Sequence, residues 1–299
     1  MGFAFGKENE MSIEEGCFID IGDTSLYVVE RGTGFPIILL HGGPGLDHHE
    51  FGDYLDTLTD DYRLILVDQR ANGRSERPPE DTWTLEQHAK DVGLLANAMG
   101  FEKYAVLGHS YGAFVCLQNA VDFPGEAAVS IISGGVPGSR FLMSYVEHQL
   151  ATFEPEELRQ QVTESWAKEP YVQTQEEMAK LLSEQFPFHF ADPFDPRIAE
   201  YEQRIANTVY SPEMLRKSSE EEYGGIEVED RLGDITHPVL ILAGRHDRAC
   251  SVKAAEFMAA NIPDAELVVF ENSAHMTFVE ENERYLSVVR SFLERKIGA

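Results

Sequence analysis

Four short segments place chemically competent side chains among small residues. Gly108-His109-Ser110-Tyr111-Gly112 follows the apolar run YAVL and opens the helical stretch AFVCLQNAVDF. A serine on such a strand–turn–helix corner holds its hydroxyl clear of the backbone. Small residues two before and two after it let strand and helix cross closely, and the helix N-terminus offers the Tyr111 amide to a developing oxyanion. Ser110 is therefore read as a nucleophile. His41-Gly42-Gly43-Pro44-Gly45 follows PIILL. A glycine-rich turn at a strand end lets backbone amides approach a ligand, so it is read as the second oxyanion donor, from Gly43 with Gly42 as the alternative.

A serine hydroxyl needs a base, and the base needs an orienting acid. Asp247 stands in GRHDR just past PVLILAG, and His275 in ENSAHM just past ELVVF. Both fall after strand-like runs and in the order serine, acid, histidine that this kind of corner uses. The chain has ten histidines, so position decides. His246 adjoins the acid, and neighbouring loop residues seldom meet in orienting geometry. His109 lies inside the corner, and His41 at the strand end reads as a structural hydrogen-bonder. Asp264, the rival acid, precedes its strand instead of following it.

These residues need a scaffold. CFIDI (17–21) and SLYVVE (25–30) alternate around Gly22-Asp23 and predict an antiparallel hairpin. PIILL, RLILV (63–67), YAVLG (104–108) and VSIIS (129–133) are apolar runs of the sort buried on both faces of a parallel sheet. Residues 85–100 repeat apolar side chains at helical spacing and stop at Gly100. Residues 139–234 lose the strand signal and read as helices broken by prolines. PVLILAG, a helix near 251–261, ELVVF and a last helix over 279–296 resume the alternation. The expectation is an α/β fold, mainly parallel with helices on both faces, with residues 1–138 and 235–299 as the core domain and 139–234 as a helical cap domain. Sites in such sheets lie at the carboxyl ends of the strands. The stretch FPFHFADPFDP (186–196) reads as a loop able to cover the site, being too proline-broken for a helix.

The chain is 299 residues with 24 Lys plus Arg against 52 Asp plus Glu, a formal net charge of −28. That balance argues against nucleic acid and anionic membrane as partners. No apolar run approaches a bilayer span, and the first sixteen residues resemble neither a secretory signal nor a myristoylation site. Three cysteines without metal-like spacing fit a reducing compartment. A cytoplasmic protein with no metal and no cofactor is expected. Its partner would be a small molecule or short peptide, and its oligomeric state is left open.

Together HGGPG, DQRANGRS (68–75), GHSYG, GRHD and the late SAH resemble the ordered motifs of the α/β-hydrolase superfamily. HGGPG with DQR…GRS is similar to its proline iminopeptidase branch, and the likeness spans nearly the whole chain. It implies a serine hydrolase with a helical cap that releases N-terminal residues from short peptides. It also implies that Arg70 and Arg74 form internal ion pairs. That branch holds the substrate's ammonium on carboxylates. The cap, where acids outnumber bases by more than two to one, offers Glu213 and the run Glu220, Glu221, Glu222. Two positions depart from the pattern: Ala113 replaces a second glycine, and Arg248 stands where some members have an acid after the triad aspartate. A cation there would repel an ammonium and attract a carboxylate or carbonyl oxygen. Three readings follow: an aminopeptidase for proline-like N-terminal residues, an esterase, lactonase or amidase with the same machinery, or a non-catalytic binder of the same fold.

Overall fold

The computed structural model describes residues 16–221 and 223–298. The reading of the N-terminal stretch falls on residues outside this range. The strands are β1 (Cys17–Asp20), β2 (Ser25–Arg31), β3 (Phe35–Leu40), β4 (Tyr62–Val67), β5 (Ala105–His109), β6 (Val129–Ser133), β7 (Val239–Gly244) and β8 (Ala265–Phe270). They form one eight-stranded sheet in the order β1-β2-β4-β3-β5-β6-β7-β8. β1 and β2 pair antiparallel, as do β2 and β4, and every pairing from β4 to β8 is parallel. At the hairpin turn the Gly22 amide donates to the Asp20 carboxylate at 2.8 Å, and Gly22 takes a φ of 110° that a side chain would disfavour.

The two-residue period of the strands divides the core in two. Ile38, Leu40, Val106 and Ile241 face one layer, with α1 (Leu85–Ala98) and α2 (Tyr111–Asp122) packed on them. Ile37, Leu39, Leu107 and Leu242 face the other. The α1 N-terminus is capped by Thr84, whose hydroxyl accepts the Gln87 amide, and Gly100 follows its end at a φ of 73°.

Between β6 and β7 the chain forms α3 (Met143–Ala151), α4 (Glu156–Trp166), α5 (Gln175–His189), α6 (Arg197–Arg204) and α7 (Pro212–Glu220). A capping box between Thr174 and Glu177 starts α5. The sequence predicted a loop from 186, but α5 continues through Pro187 to His189. Pro187 lies in the last turn and forfeits one hydrogen bond, to the carbonyl of solvent-facing Ser183, while Phe186 and Phe188 on either side of it are buried. Only the remainder, 190–196, is irregular.

This helical segment is fastened to the loops that leave the strands. Ser211 donates its amide to Gly45 O at 2.8 Å, and Val209 to Asp47 Oδ2 at 2.9 Å. The His275 amide donates to His189 O at 3.0 Å.

Past β7, α8 (Val252–Asn261) begins at Ser251, whose hydroxyl accepts the Ala254 amide. The last helical region is two pieces, not one: α9 (Thr277–Glu280) and α10 (Asn282–Ile297). They meet at Glu281, whose carboxylate accepts the Asn272 amide at 3.0 Å and the Ser273 hydroxyl at 2.8 Å. Val289, Phe292 and Leu293 of α10 close the second core layer. No helix of the described residues is long and apolar enough to cross a membrane.

Candidate active site

Ser110 stands in the turn between β5 and α2, at φ 54° and ψ −119°. For a non-glycine residue this is a strained conformation, of the kind functional sites retain. The flanking glycines are sterically required. A Cβ on Gly108 would stand 2.0 Å from Gly112 O, and one on Gly112 would stand 2.0 Å from Leu40 O. The Ser110 amide is anchored to Ser133 O on the next strand at 2.9 Å.

The loops after β7 and β8 bring Asp247 and His275 together. His275 Nδ1 lies 2.8 Å from Asp247 Oδ2. The other carboxylate oxygen, Oδ1, accepts the Ala249 and Cys250 amides, each at 2.8 Å. Tyr145 of α3 donates its hydroxyl to Asp247 O at 2.8 Å. Both members of the pair are buried. Burial disfavours the His275 cation, but the attraction and hydrogen bond of Asp247 outweigh it, and the pKa is raised. The ring is flanked by His109, 4.9 Å between centroids, and His189, at 5.2 Å. Burial keeps both flanking imidazoles neutral: His109 falls well below the usual value and His189 to about 3.

The turn after β3 lies against the serine. Gly42 cannot serve as an oxyanion donor here, because its amide already donates to Glu50 Oε2 at 2.5 Å. The Gly43 amide and the Tyr111 amide, first in α2, make no hydrogen bond among the described residues. His41 is buried, with Nδ1 2.8 Å from Gly42 O and Nε2 accepting the Gln69 amide at 3.2 Å, a structural role as expected. Arg70 is buried on Asp91 at 2.7 Å and Asp23 at 3.0 Å, and Arg74 reaches Asp47 at 3.3 Å.

Ser110, His275 and Gly43 line one cavity of about 340 Å³ between the strand ends and the helical segment. Its walls are mostly apolar, from Phe114, Leu142, Val146, Trp166, Leu182 and Phe186. Three carboxylates line it, Glu50, Glu147 and Glu169, and no Lys or Arg among the described residues does. Among the described residues, Ser110 Oγ and His275 Nε2 form no hydrogen bond.

The two expected substrate-binding residues lie elsewhere. Glu213 pairs with Arg77 at 3.1 Å and does not line the cavity. Arg248 does not line it either: its guanidinium donates to the carbonyls of Phe188, Phe190 and Ala191 at 3.0, 2.6 and 3.1 Å. An arginine gathers backbone carbonyls where a helix ends, and that is its role here. Glu220 and Glu221 are exposed, and Glu222 is outside the described residues. His246 and Asp264, the rivals for base and acid, are both exposed, Asp264 bound to Lys296 at 2.8 Å.

Sequence reasoning missed Glu50, Glu169 and His189. Glu169 is buried, its two oxygens taken by Gln185 at 2.8 Å and Tyr223 at 2.5 Å, and burial lifts its pKa to about 7. Nothing local marks it among the other acids of the helical segment. Among the described residues, two groups of side chains combine ligand types that metals use, Asp47-His48-His49 and Asp247-Cys250-His275. In the first, Asp47 and Asp68 already hold His49 and His48 at 2.9 and 2.6 Å. The second is the acid–histidine pair with a cysteine whose thiol burial pushes well up, away from the thiolate a metal needs.

The fold and the loops that carry these residues define an α/β hydrolase. A family model described as the alpha/beta hydrolase fold matches residues 36–282, and the chain belongs to that family and is a hydrolase. Within it the chain is similar to proline iminopeptidases. A proline iminopeptidase of Heyndrickxia coagulans is 28% identical over 273 residues, covering 88% of this chain and 92% of that protein. The solved proline iminopeptidase of Mycobacterium smegmatis is 25% identical with a TM-score of 0.74, over 94% of this chain and 98% of that one. An esterase from Exiguobacterium antarcticum is 24% identical with a TM-score of 0.73, over 94% of this chain and 100% of that one, a likeness of fold.

Proposed function

We propose that this protein is a serine aminopeptidase that releases proline-like or other apolar N-terminal residues from short peptides through an acyl-enzyme. The reading is carried by the cavity's carboxyl groups. Beside Ser110 and His275 stand three of them and, among the described residues, no Lys or Arg, within apolar walls. A free α-ammonium on an apolar residue matches such a cavity, and a substrate carboxylate is disfavoured in it.

In this mechanism Ser110 Oγ attacks the carbonyl carbon of the N-terminal residue while its proton passes to His275 Nε2. The serine–histidine contact closes as substrate seats, since hydrogen bonds of this kind are often long in the free enzyme. Asp247 fixes the tautomer of His275 and stabilises its cation. The tetrahedral oxyanion accepts the Gly43 and Tyr111 amides. Collapse breaks the C–N bond, and the leaving amine takes the proton from His275. Water, deprotonated by His275, then attacks the ester carbon, and Ser110 leaves with the proton returned.

The relatives named proline iminopeptidase support this reading. A second reading, hydrolysis of esters or lactones, is favoured by the volume, since about 340 Å³ exceeds the needs of a prolyl residue. Mass spectrometry of products separates the two. Peptides Pro-Ala-Ala and Leu-Ala-Ala should each yield the free first residue, and their N-acetyl forms should stay intact. Hydrolysis of p-nitrophenyl esters with every peptide untouched would support the second reading.

A further inference from the structure

Glu50 is a buried carboxyl at the reacting centre with one oxygen unused. It sits in a short 3-10 turn, His48–Phe51, whose N-cap Asp47 accepts the His49 amide. Only 4% of the residue is exposed, and what is open faces the cavity. Oε2 accepts the Gly42 amide; Oε1 has no hydrogen-bond or ionic partner among the described residues. A Cβ on Gly42 would stand 2.7 Å from Glu50 Oε1 and 2.9 Å from Ser110 Cβ, so those two atoms lie within about 6 Å of each other.

An α-ammonium sits one carbon from the carbonyl that the serine attacks, about 2.5 Å from it by standard backbone dimensions. Its counter-ion must therefore lie beside the nucleophile. Glu169 has both oxygens engaged, and Glu147 is exposed. Glu280, off the cavity, gives its oxygens to the Ala191 and Ala274 amides. His275 eases the ionisation of Glu50 only in part; a buried carboxyl is otherwise costly to ionise, and an arriving cation removes that cost.

We propose that Glu50 is the specificity residue of this site, its Oε1 receiving the α-ammonium of the substrate's N-terminal residue. This rests on the aminopeptidase reading above. Substrates that lack the ammonium, whether acylated or ester, forgo the interaction and leave the carboxyl without a cation.

The test is Glu50→Gln, nearly isosteric and able to keep an oxygen on the Gly42 amide. The readout is the ratio of kcat/KM on proline p-nitroanilide to kcat/KM on p-nitrophenyl butyrate. The ratio should fall about 100-fold, mainly through KM, the order expected for losing one partner of a desolvated charge pair. An unchanged ratio overturns the proposal: equal losses on both substrates would mean that Glu50 acts only through the Gly42 turn, and no loss on either would place the ammonium elsewhere. Calorimetry with Ser110→Ala supplies a readout free of turnover. Prolinamide should bind it about 100-fold more tightly than it binds Ser110→Ala/Glu50→Gln, and equal affinities would overturn the proposal. A wild type that hydrolyses the ester but spares the anilide overturns the aminopeptidase reading and this proposal together. A wild type that cleaves the anilide, with Glu50→Gln keeping the wild-type ratio, overturns the Glu50 assignment alone.

Discussion

The guanidinium of Arg248 donates to the carbonyl of Phe190 at 2.6 Å, tying the loop that carries Asp247 to the end of α5. The same group reaches Phe188 O and Ala191 O and lies 5.0 Å over the Phe153 ring. Three carbonyls and an aromatic face account for this cation, and its effect is on the scaffold. Arg248→Gln should therefore lower stability by about 2 kcal/mol, from the loss of charge-assisted hydrogen bonds. Urea unfolding measures this. Specificity for a free amine over its acetylated form should not improve in the variant. A large gain would mean that Arg248 faces the substrate after all.

Ser110→Ala should abolish turnover and leave the melting temperature within about 3 °C of wild type, since the change removes one half-buried hydroxyl that has no partner among the described residues. Thermal melts and a chromogenic assay check both halves. Substantial residual turnover would move the nucleophile away from the corner.

Most of the frame was legible because its determinants are local. Strand runs such as PIILL carry their burial in their composition. GHSYG carries its determinants in Gly108 and Gly112, where a Cβ has no room, and HGGPG in Gly43 and Gly45, at φ of 104° and 93°. Asp247 and His275 could be placed because each directly follows a strand. Positions in the helical segment between β6 and β7 were less legible. Glu213 and Glu169 are both acids of that segment, and only tertiary packing sends one to Arg77 and the other into the cavity. The irregular loop expected from 186 was wrong for a similar reason: burial of Phe186 and Phe188 holds helix through Pro187. Gly42 and Gly43 are equivalent in sequence, and only Glu50, eight residues away, occupies the Gly42 amide.

Two pH effects have opposite origins. Asp247 raises the pKa of His275 above 6.5, and a general base must be neutral. The acid limb of kcat/KM on an ester substrate should therefore have its midpoint above 6.5. A midpoint clearly below that value would separate the base from the Asp247 pair.

Stability should fall as pH rises. Burial pushes Glu50 up to about 8 and Glu169 to about 7 from an ordinary 4.5. His275 opposes the shift of Glu50 and Asp47 adds to it, while Tyr201 and Tyr285 nearby stay neutral through burial. Between 4.5 and those values the unfolded chain has released protons that the native state keeps. The contribution is thus complete below about 4.5 and is lost as pH climbs through 7 and 8. Glu50→Gln removes one of these titrations, so its stability should decline less between pH 5 and 8 than that of wild type. Parallel urea-denaturation series would show an equally steep decline if Glu50 ionised normally.

The central claim, that Ser110 is activated by His275 and Asp247, is tested most directly by intact-mass and peptide mapping after exposure to a fluorophosphonate. Wild type and His246→Ala should each gain one adduct, on the peptide containing Ser110, and His275→Ala should gain none. An adduct in His275→Ala with none in His246→Ala, or one on a residue other than Ser110, would contradict the account.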